Sequence, residues 1–296
     1  MRRIHSLSCI FHEQCYDAPN LHHYFWGMKE LPFEFSLEIR SPRRGRSLET
    51  HLQHLKPLLE LRPAFASIAN HNGSPSSKYF ALALKSRFNL EVVPHIIGNE
   101  LSPAEIEDTL IGFNYTGIRK VMALRGDRKS NGTKYKNRYA HANEIVKHIR
   151  DFNDRYGTSF ESGVAGYPDV HQSADSQTTD LSFLKNKIDA GAAFVITQMC
   201  IDNKPFFDFL DRCRAIGINI PVIPGLKLIS PASNLNQYTN KFNVSIPAGF
   251  VPGTEWLFRQ CAELVNAGHT HLHFYTFSTT DIQGVLEVLN RFRQIP

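Results

Sequence analysis

The feature that most constrains this chain is a repeated unit: an apolar run of strand length, an amphipathic stretch of helix length, and a glycine that opens the next run. Thr116-Gly117 precedes I-R-K-V-M-A-L, Ala190-Gly191 precedes A-A-F-V-I-T-Q, Ile216-Gly217 precedes I-N-I-P-V-I-P, and Ala267-Gly268 precedes H-T-H-L-H-F-Y. Glycine ends a helix in the left-handed conformation without a side-chain clash, so each of these reads as a helix C-cap before a new strand. Helix starts are marked too. Ser102-Pro103-Ala104-Glu105 is a capping box with proline at the first helical position, and Ser74-Pro75 reads as another opening.

The pattern predicts eight strands, near 33–39, 65–69, 90–95, 118–124, 162–166, 193–198, 219–223 and 271–277. Helices are expected near 47–61, 76–87, 103–114, 140–154, 180–190, 203–216, 231–240 and 254–267, with a last one near 280–292. Near-continuous apolar strands alternating with helices imply a parallel sheet covered on both faces, and eight such units imply closure. The expected fold is therefore α/β, a (β/α)8 barrel of the TIM type. It forms a single domain over residues 31–296, with residues 1–30, rich in His and aromatics, as an N-terminal arm or helix outside the repeat.

Composition narrows the function. The 42% hydrophobic content supplies a core, and a net charge of +5 mildly favours anionic ligands such as phosphates or polyglutamates. That charge is too small and dispersed to argue for nucleic acid. The basic stretch from Arg125 to Arg138 lacks a stacking platform and reads as a solvated loop. Cys9, Cys15, Cys200, Cys213 and Cys261 are odd in number and lack paired short spacings, which argues for a reducing cytoplasm over a disulfide framework or zinc site. No apolar run approaches the roughly 18 residues of a membrane span. The basic start has an apolar segment broken before His12 and Glu13, unlike a signal peptide, and Glu13 and Asp17 count against a mitochondrial presequence.

The chemistry-bearing residues fall at strand ends. Glu38 closes F-E-F-S-L-E-I, Asp127 follows V-M-A-L-R-G, and Gln198 ends F-V-I-T-Q. Tyr167 and His171 come from A-G-Y-P-D-V-H, and Tyr275 from H-L-H-F-Y-T. A lone carboxylate in an apolar strand is costly to bury, and the C-terminal strand ends of a β/α barrel are where its active sites are built. His269, His271 and His273 alternate on one strand and invite a metal reading. Metal-dependent hydrolases on this barrel place a His-x-His on the first strand with a carboxylate elsewhere, which this chain lacks. No metal is expected.

Six fragments in barrel order carry a resemblance: V-M-A-L-R-G-D at 121–127, H-A-N-E-I-V-K-H-I-R at 141–150, A-G-Y-P-D-V-H at 165–171, K-I-D-A-G-A with I-T-Q at 187–198, I-P-G at 223–225 and H-F-Y-T at 273–276. Together they resemble the methylenetetrahydrofolate reductase family, from about residue 33 to residue 277. The resemblance implies FAD-dependent, ping-pong reduction of 5,10-methylenetetrahydrofolate to 5-methyltetrahydrofolate by NAD(P)H. It also implies a cytoplasmic location and a homo-oligomer.

By the same resemblance Glu38 is the general acid that protonates the departing folate nitrogen, with Glu34 in the look-alike F-E-F as a rival. Asp127 touches both pterin and flavin. His95, Arg125, Gly126, Asp127, Tyr167, His171, Asp180 and Lys187 hold the flavin; Gln198, Tyr238 and Tyr275 line the substrate site. The chain departs from the family pattern after the acid, where Ile39-Arg40-Ser41-Pro42 replaces Phe-Phe-Pro-Pro, in the turn Asn70-His71-Asn72-Gly73, and at two contact positions. Ala69 stands where the family usually has Thr, and Thr279 where bacterial members tend to have Arg, so flavin affinity or the one-carbon carrier itself can differ. The alternatives are a divergent member acting on another carrier or binding flavin weakly, and a folate- or flavin-binding barrel without turnover. Retention of Glu38 and Asp127 argues against the last, since a mere binder has no use for a ring-opening acid.

Overall fold

Eight parallel strands close on themselves in sequence order, β1 pairing with both β2 and β8. The computed structural model describes residues 30–42, 45, 47–69, 77–126, 139–172, 174–231, 233 and 235–294. Most of the expected N-terminal arm, Ser74-Pro75 and Asp127 therefore lie outside the described residues. The strands are β1 (Glu34–Arg40), β2 (Ala66–Ala69), β3 (Val92–Ile97), β4 (Lys120–Leu124), β5 (Glu161–Gly166), β6 (Ala192–Cys200), β7 (Val222–Leu226) and β8 (His271–Tyr275). The helices between and after them are α1 (Leu48–Glu60), α2 (Ser77–Phe88), α3 (Pro103–Tyr115), α4 (Ala142–Tyr156), α5 (Gln177–Asp189), α6 (Asn203–Ala215), α7 (Asn236–Phe242), α8 (Thr254–Asn266) and α9 (Thr279–Gln294). The expected (β/α)8 barrel is the fold observed.

The punctuation read from the sequence has its physical cause in the backbone. Gly117, Gly191, Gly217 and Gly268 all have positive φ, the conformation that lets a helix stop and the chain turn into the next strand. At α3, Ser102 Oγ accepts from Glu105 N–H, while Glu105 Oε2 accepts from Ser102 N–H at 2.8 Å, closing the capping box.

Several elements differ from the expected spans: α7 starts at Asn236 and not 231, β3 runs two residues later, and β8 ends at Tyr275, and three further differences have a visible cause. β7 starts at Val222, not 219, because pairing with β6 begins only at Val195↔Val222; Ile218 is buried in the core ahead of the strand. β6 runs two residues past Gln198, to Cys200. α5 starts earlier than residue 180, because Ser176 caps it by accepting from Thr179 N–H.

Side chains alternate along each strand, as a pleated strand requires. Leu37, Ile39, Ile68, Val92, Ile96, Val121 and Phe274 face outward into the main core beneath the helices. Phe65, Val93, Met122, Phe194, Ile196 and Ile223 fill the barrel interior. Gly163 makes room for that inner layer: a Cβ there would stand 2.3 Å from the Phe194 ring. Other inward positions, among them Ser36 and Glu38 on β1, Ser67 on β2, His95 on β3 and His271, His273 and Tyr275 on β8, are polar, and they build the site.

Candidate active site

Glu38, on an inward-facing position of β1, pairs in register with Ser67 on β2 and Tyr275 on β8. Its side chain is 14% exposed, and Oε2 lies 3.9 Å from Nε2 of both His95 and His273. Burial pushes its pKa above the ordinary glutamate value, only partly opposed by the charges of His95 and Arg40. Burial likewise lowers the His95 pKa, against the attraction of Glu38, so burial disfavours charge on both partners. His95 Nε2 is also 2.8 Å from Ser67 Oγ. The neighbouring Arg40 guanidinium lies 4.0 Å from the Phe277 ring centroid. Glu34, the rival acid, is at the opposite, N-terminal end of β1, its side chain 76% exposed and 3.7 Å from His271.

Tyr275 is held by its hydroxyl, which donates to the Thr197 carbonyl at 2.7 Å. Gly225 permits this: a Cβ there would stand 2.3 Å from that carbonyl oxygen and 2.7 Å from the Tyr275 ring. Opposite, the β6–β7 register shifts between Ile196 and Met199, at Gln198. Irregularities of this kind re-aim a side chain near a site. Gln198 Oε1 accepts from Met199 N–H at 3.0 Å. Tyr238, on α7, is buried with Tyr275, Met199 and Ile229 in a small apolar cluster over this side of the barrel mouth.

A cavity of about 430 Å³ opens at the C-terminal ends of β4 and β5, between the starts of α4 and α5. It gathers Arg125, Gly126, Tyr167, His171, Asp180 and Lys187, residues separated by up to 62 positions in sequence. Tyr167 and His171 meet edge-on at 4.5 Å, and Asp180 Oδ2 accepts from His171 N–H at 3.0 Å. Lys187 donates to the Ala165 carbonyl at 2.5 Å, and burial lowers its pKa to about 8 despite the Asp180 carboxylate. Asp180 is in turn raised by burial, opposed by its bond from His171 and by the charge on Lys187. Gly126 has φ 90°, and a Cβ on it would collide with Asn99 and Ile97. His95 does not line this cavity; it belongs to the Glu38 cluster.

The donor set suits an anionic nucleotide. Lys187 and Arg125 supply positive charge and Asp180 an acceptor for hydroxyls. The N-terminus of α4, where Ala142 and Asn143 line the cavity, offers backbone N–H groups to a phosphate. His141 and Phe183 stack at 6.0 Å across the rim. Neither was singled out as a ligand contact in the sequence, where His141 reads only as part of a helix motif. Nothing in the sequence ties His273 to Glu38, Ser67 to His95, or Ser36 to His271 and His273, although all sit at even spacing on inward strand faces. The three histidines divide: His271 and His273 point into the barrel, whereas His269 packs on Phe206 and Phe207 before β8 begins. Among the described residues no group of three or more His, Cys, Asp or Glu is disposed to hold a metal ion, and no helix is long and apolar enough to cross a membrane. Cys200, Cys213 and Cys261 are buried free thiols.

A closed barrel with a buried acid at its mouth and a polar cavity beside it, at the C-terminal strand ends, defines a β/α-barrel protein with the layout of an active site. Among solved structures it is similar to tryptophan synthase from M. tuberculosis (10% identity, TM-score 0.52, 88% of this chain and 91% of that one). It is also similar to 2,3-dimethylmalate lyase (11%, 0.51, 88% and 77%); at such identities the likeness is one of fold alone.

The sequence goes further. The family model for methylenetetrahydrofolate reductase matches residues 28–291, and the chain belongs to that family. It is 32% identical over 216 residues to the 5,10-methylenetetrahydrofolate reductase of Escherichia coli, covering 72% of this chain and 70% of that protein. It is 27% identical over 288 residues to methylenetetrahydrofolate reductase 2 of Saccharomyces cerevisiae. That match covers 88% of this chain but 47% of the yeast protein, so the chain spans about half the length of that relative.

Proposed function

We propose that this chain reduces 5,10-methylenetetrahydrofolate to 5-methyltetrahydrofolate with NAD(P)H, that FAD is its cofactor, and that Glu38 is the proton donor. Bound in the cavity beside β4 and β5, FAD would supply hydride transfer between the two substrates. Arg125, Lys187 and the α4 N-terminus would hold its phosphates, Asp180 its hydroxyls, and Tyr167 and His171 would pack its apolar surface. Asp127, which follows Arg125-Gly126 in the sequence, would bear on both flavin and folate, its carboxylate stabilising the cationic folate formed on ring opening.

The observation that carries this reading is the placement of Glu38, buried toward the C-terminal end of β1 between His95 and His273. Opening the five-membered ring that bridges the two folate nitrogens requires a proton on the departing nitrogen. A carboxylic acid whose pKa burial raises is suited to deliver it. Gln198, Tyr238 and Tyr275 line the folate side. One proton is consumed per turnover, and it leaves from Glu38.

Stopped-flow absorbance at the flavin band separates the two half-reactions. Glu38→Gln should nearly abolish re-oxidation by the folate and leave reduction by NAD(P)H close to wild type, since only the folate half needs a proton. Equal loss in both halves would make Glu38 a structural or flavin-binding residue and return attention to Glu34.

A further inference from the structure

We infer that Glu38 is reprotonated through the inside of the barrel, from its N-terminal face, along a wire made of His271, Ser36 and His273. The inference deepens the proposed function and rests on Glu38 being the acid of the folate half-reaction.

That role leaves Glu38 ionised after each turnover, and the proton must be replaced. The C-terminal mouth is where the cofactor and folate would lie, so a supply from that side competes with them for space. The opposite side is connected. His271 Nδ1 is 3.7 Å from the exposed Glu34 carboxylate. His271 Nε2 is 2.9 Å from Ser36 Oγ, and Ser36 Oγ is 2.8 Å from His273 Nδ1. His273 Nε2, fully buried and without a hydrogen-bond partner, is 3.9 Å from Glu38 Oε2. A buried polar nitrogen left unbonded is costly, and a small shift of the Glu38 side chain satisfies it. Phe65 stacks on His273 at 5.9 Å, meets His271 at a tilt at 5.5 Å, and walls the path.

The transfer balances. A proton from Glu34 or solvent adds to His271 Nδ1, and His271 gives its Nε2 proton to Ser36 Oγ. Ser36 gives its own hydroxyl proton to His273 Nδ1, and His273 gives its Nε2 proton to the Glu38 carboxylate. One proton enters, one arrives, and both imidazoles change tautomer and stay neutral. Burial favours that neutrality, holding the pKa values of His271 and His273 at about 4 and 3. The titratable and charged groups facing Glu38 are His95 on β3, His273 and Tyr275 on β8, and Arg40 on its own strand. Those facing His271 are Glu34, His273 and Lys120 on β4.

His271 is thus a positioning residue that acts through Glu38, and its test needs readouts that a merely structural role does not move. In steady-state turnover of the holoenzyme, where Glu38 must regain its proton before each folate half-reaction, His271→Gln keeps a bond to Ser36 but cannot relay. It should slow turnover at least about tenfold above pH 8, and small acids such as imidazolium should restore the rate in a saturable manner. His271→Phe, which extends the packing on Phe65, should behave alike. Independently of turnover, 15N imidazole NMR of the cofactor-free protein should show the His273 tautomer switching as Glu38 titrates, and Glu38→Gln should freeze it. A wild-type rate in both His271 variants with a pH-invariant His273 tautomer overturns the wire while the Glu38 reading stands. A normal folate half-reaction in Glu38→Gln overturns that reading itself.

Discussion

Glu38 shows how a functional residue is set against stability. Burial raises its pKa, so the folded state binds its proton more tightly than the unfolded chain does. Any stabilisation from this group is present below the unfolded value of 4.5 and is lost as pH rises through the folded pKa. Above that unfolded value, keeping the carboxyl buried costs stability. Glu38→Gln should therefore raise the melting temperature at pH 8, by about 2–4 °C for each kcal/mol relieved, with the gain shrinking toward pH 4.5. Calorimetry across pH checks the sign, and a fall at pH 8 would mean that the carboxylate makes a net stabilising contact. Lys187 works in the opposite sense. With a pKa lowered to about 8, its charge is present at neutral pH and lost above it. If it holds FAD phosphate, the flavin Kd should rise toward tenfold per pH unit above pH 8, and Lys187→Gln should flatten that slope in a fluorescence titration.

At the scale of elements, the barrel depends on a few tight joints. Ser102 closes the capping box of α3 through bonds with Glu105, so Ser102→Ala should cost about 1 kcal/mol in denaturant unfolding without touching flavin affinity. Gly225 is the joint between β6, β7 and β8. Its N–H donates to Thr197 Oγ1 at 2.9 Å, and its missing Cβ leaves the space in which Tyr275 reaches the Thr197 carbonyl. Because the nearest obstacle is backbone, Gly225→Ala should cost about 1–3 kcal/mol and shift the Tyr275 ring. A variant as stable as wild type would show that the β6 irregularity absorbs the methyl group.

The whole molecule responds to pH through what its barrel buries. His271 and His273 have pKa values lowered to about 4 and 3, so between pH 6.5 and 4 the unfolded chain binds protons that the folded one does not. Stability is complete above the unfolded value of 6.5 and is lost as pH falls, by about 2 kcal/mol for the pair between pH 6 and 5. Urea unfolding of wild type and His273→Gln at these two pH values should show the variant losing distinctly less. Equal losses would place the acid sensitivity elsewhere.

Much of this was legible in the chain because it is local. A glycine after a helix, a capping box and an apolar run of strand length act over a few residues, so eight units and their closure could be counted. Family fragments pointed to Glu38 and to Arg125, Gly126, Tyr167, His171, Asp180 and Lys187, and the fold brings the last six around one cavity. What tertiary structure alone decided is which inward positions face each other. His95 reads like a ligand contact at a strand end, yet register sets it against Ser67 and Glu38, outside that cavity. Ser36 and His273 lie 237 residues apart and meet at 2.8 Å only because β1 pairs with β8. Periodicity says that two side chains point inward; closure of the barrel makes them neighbours, and burial among Phe65 and its layer sets whether they carry charge.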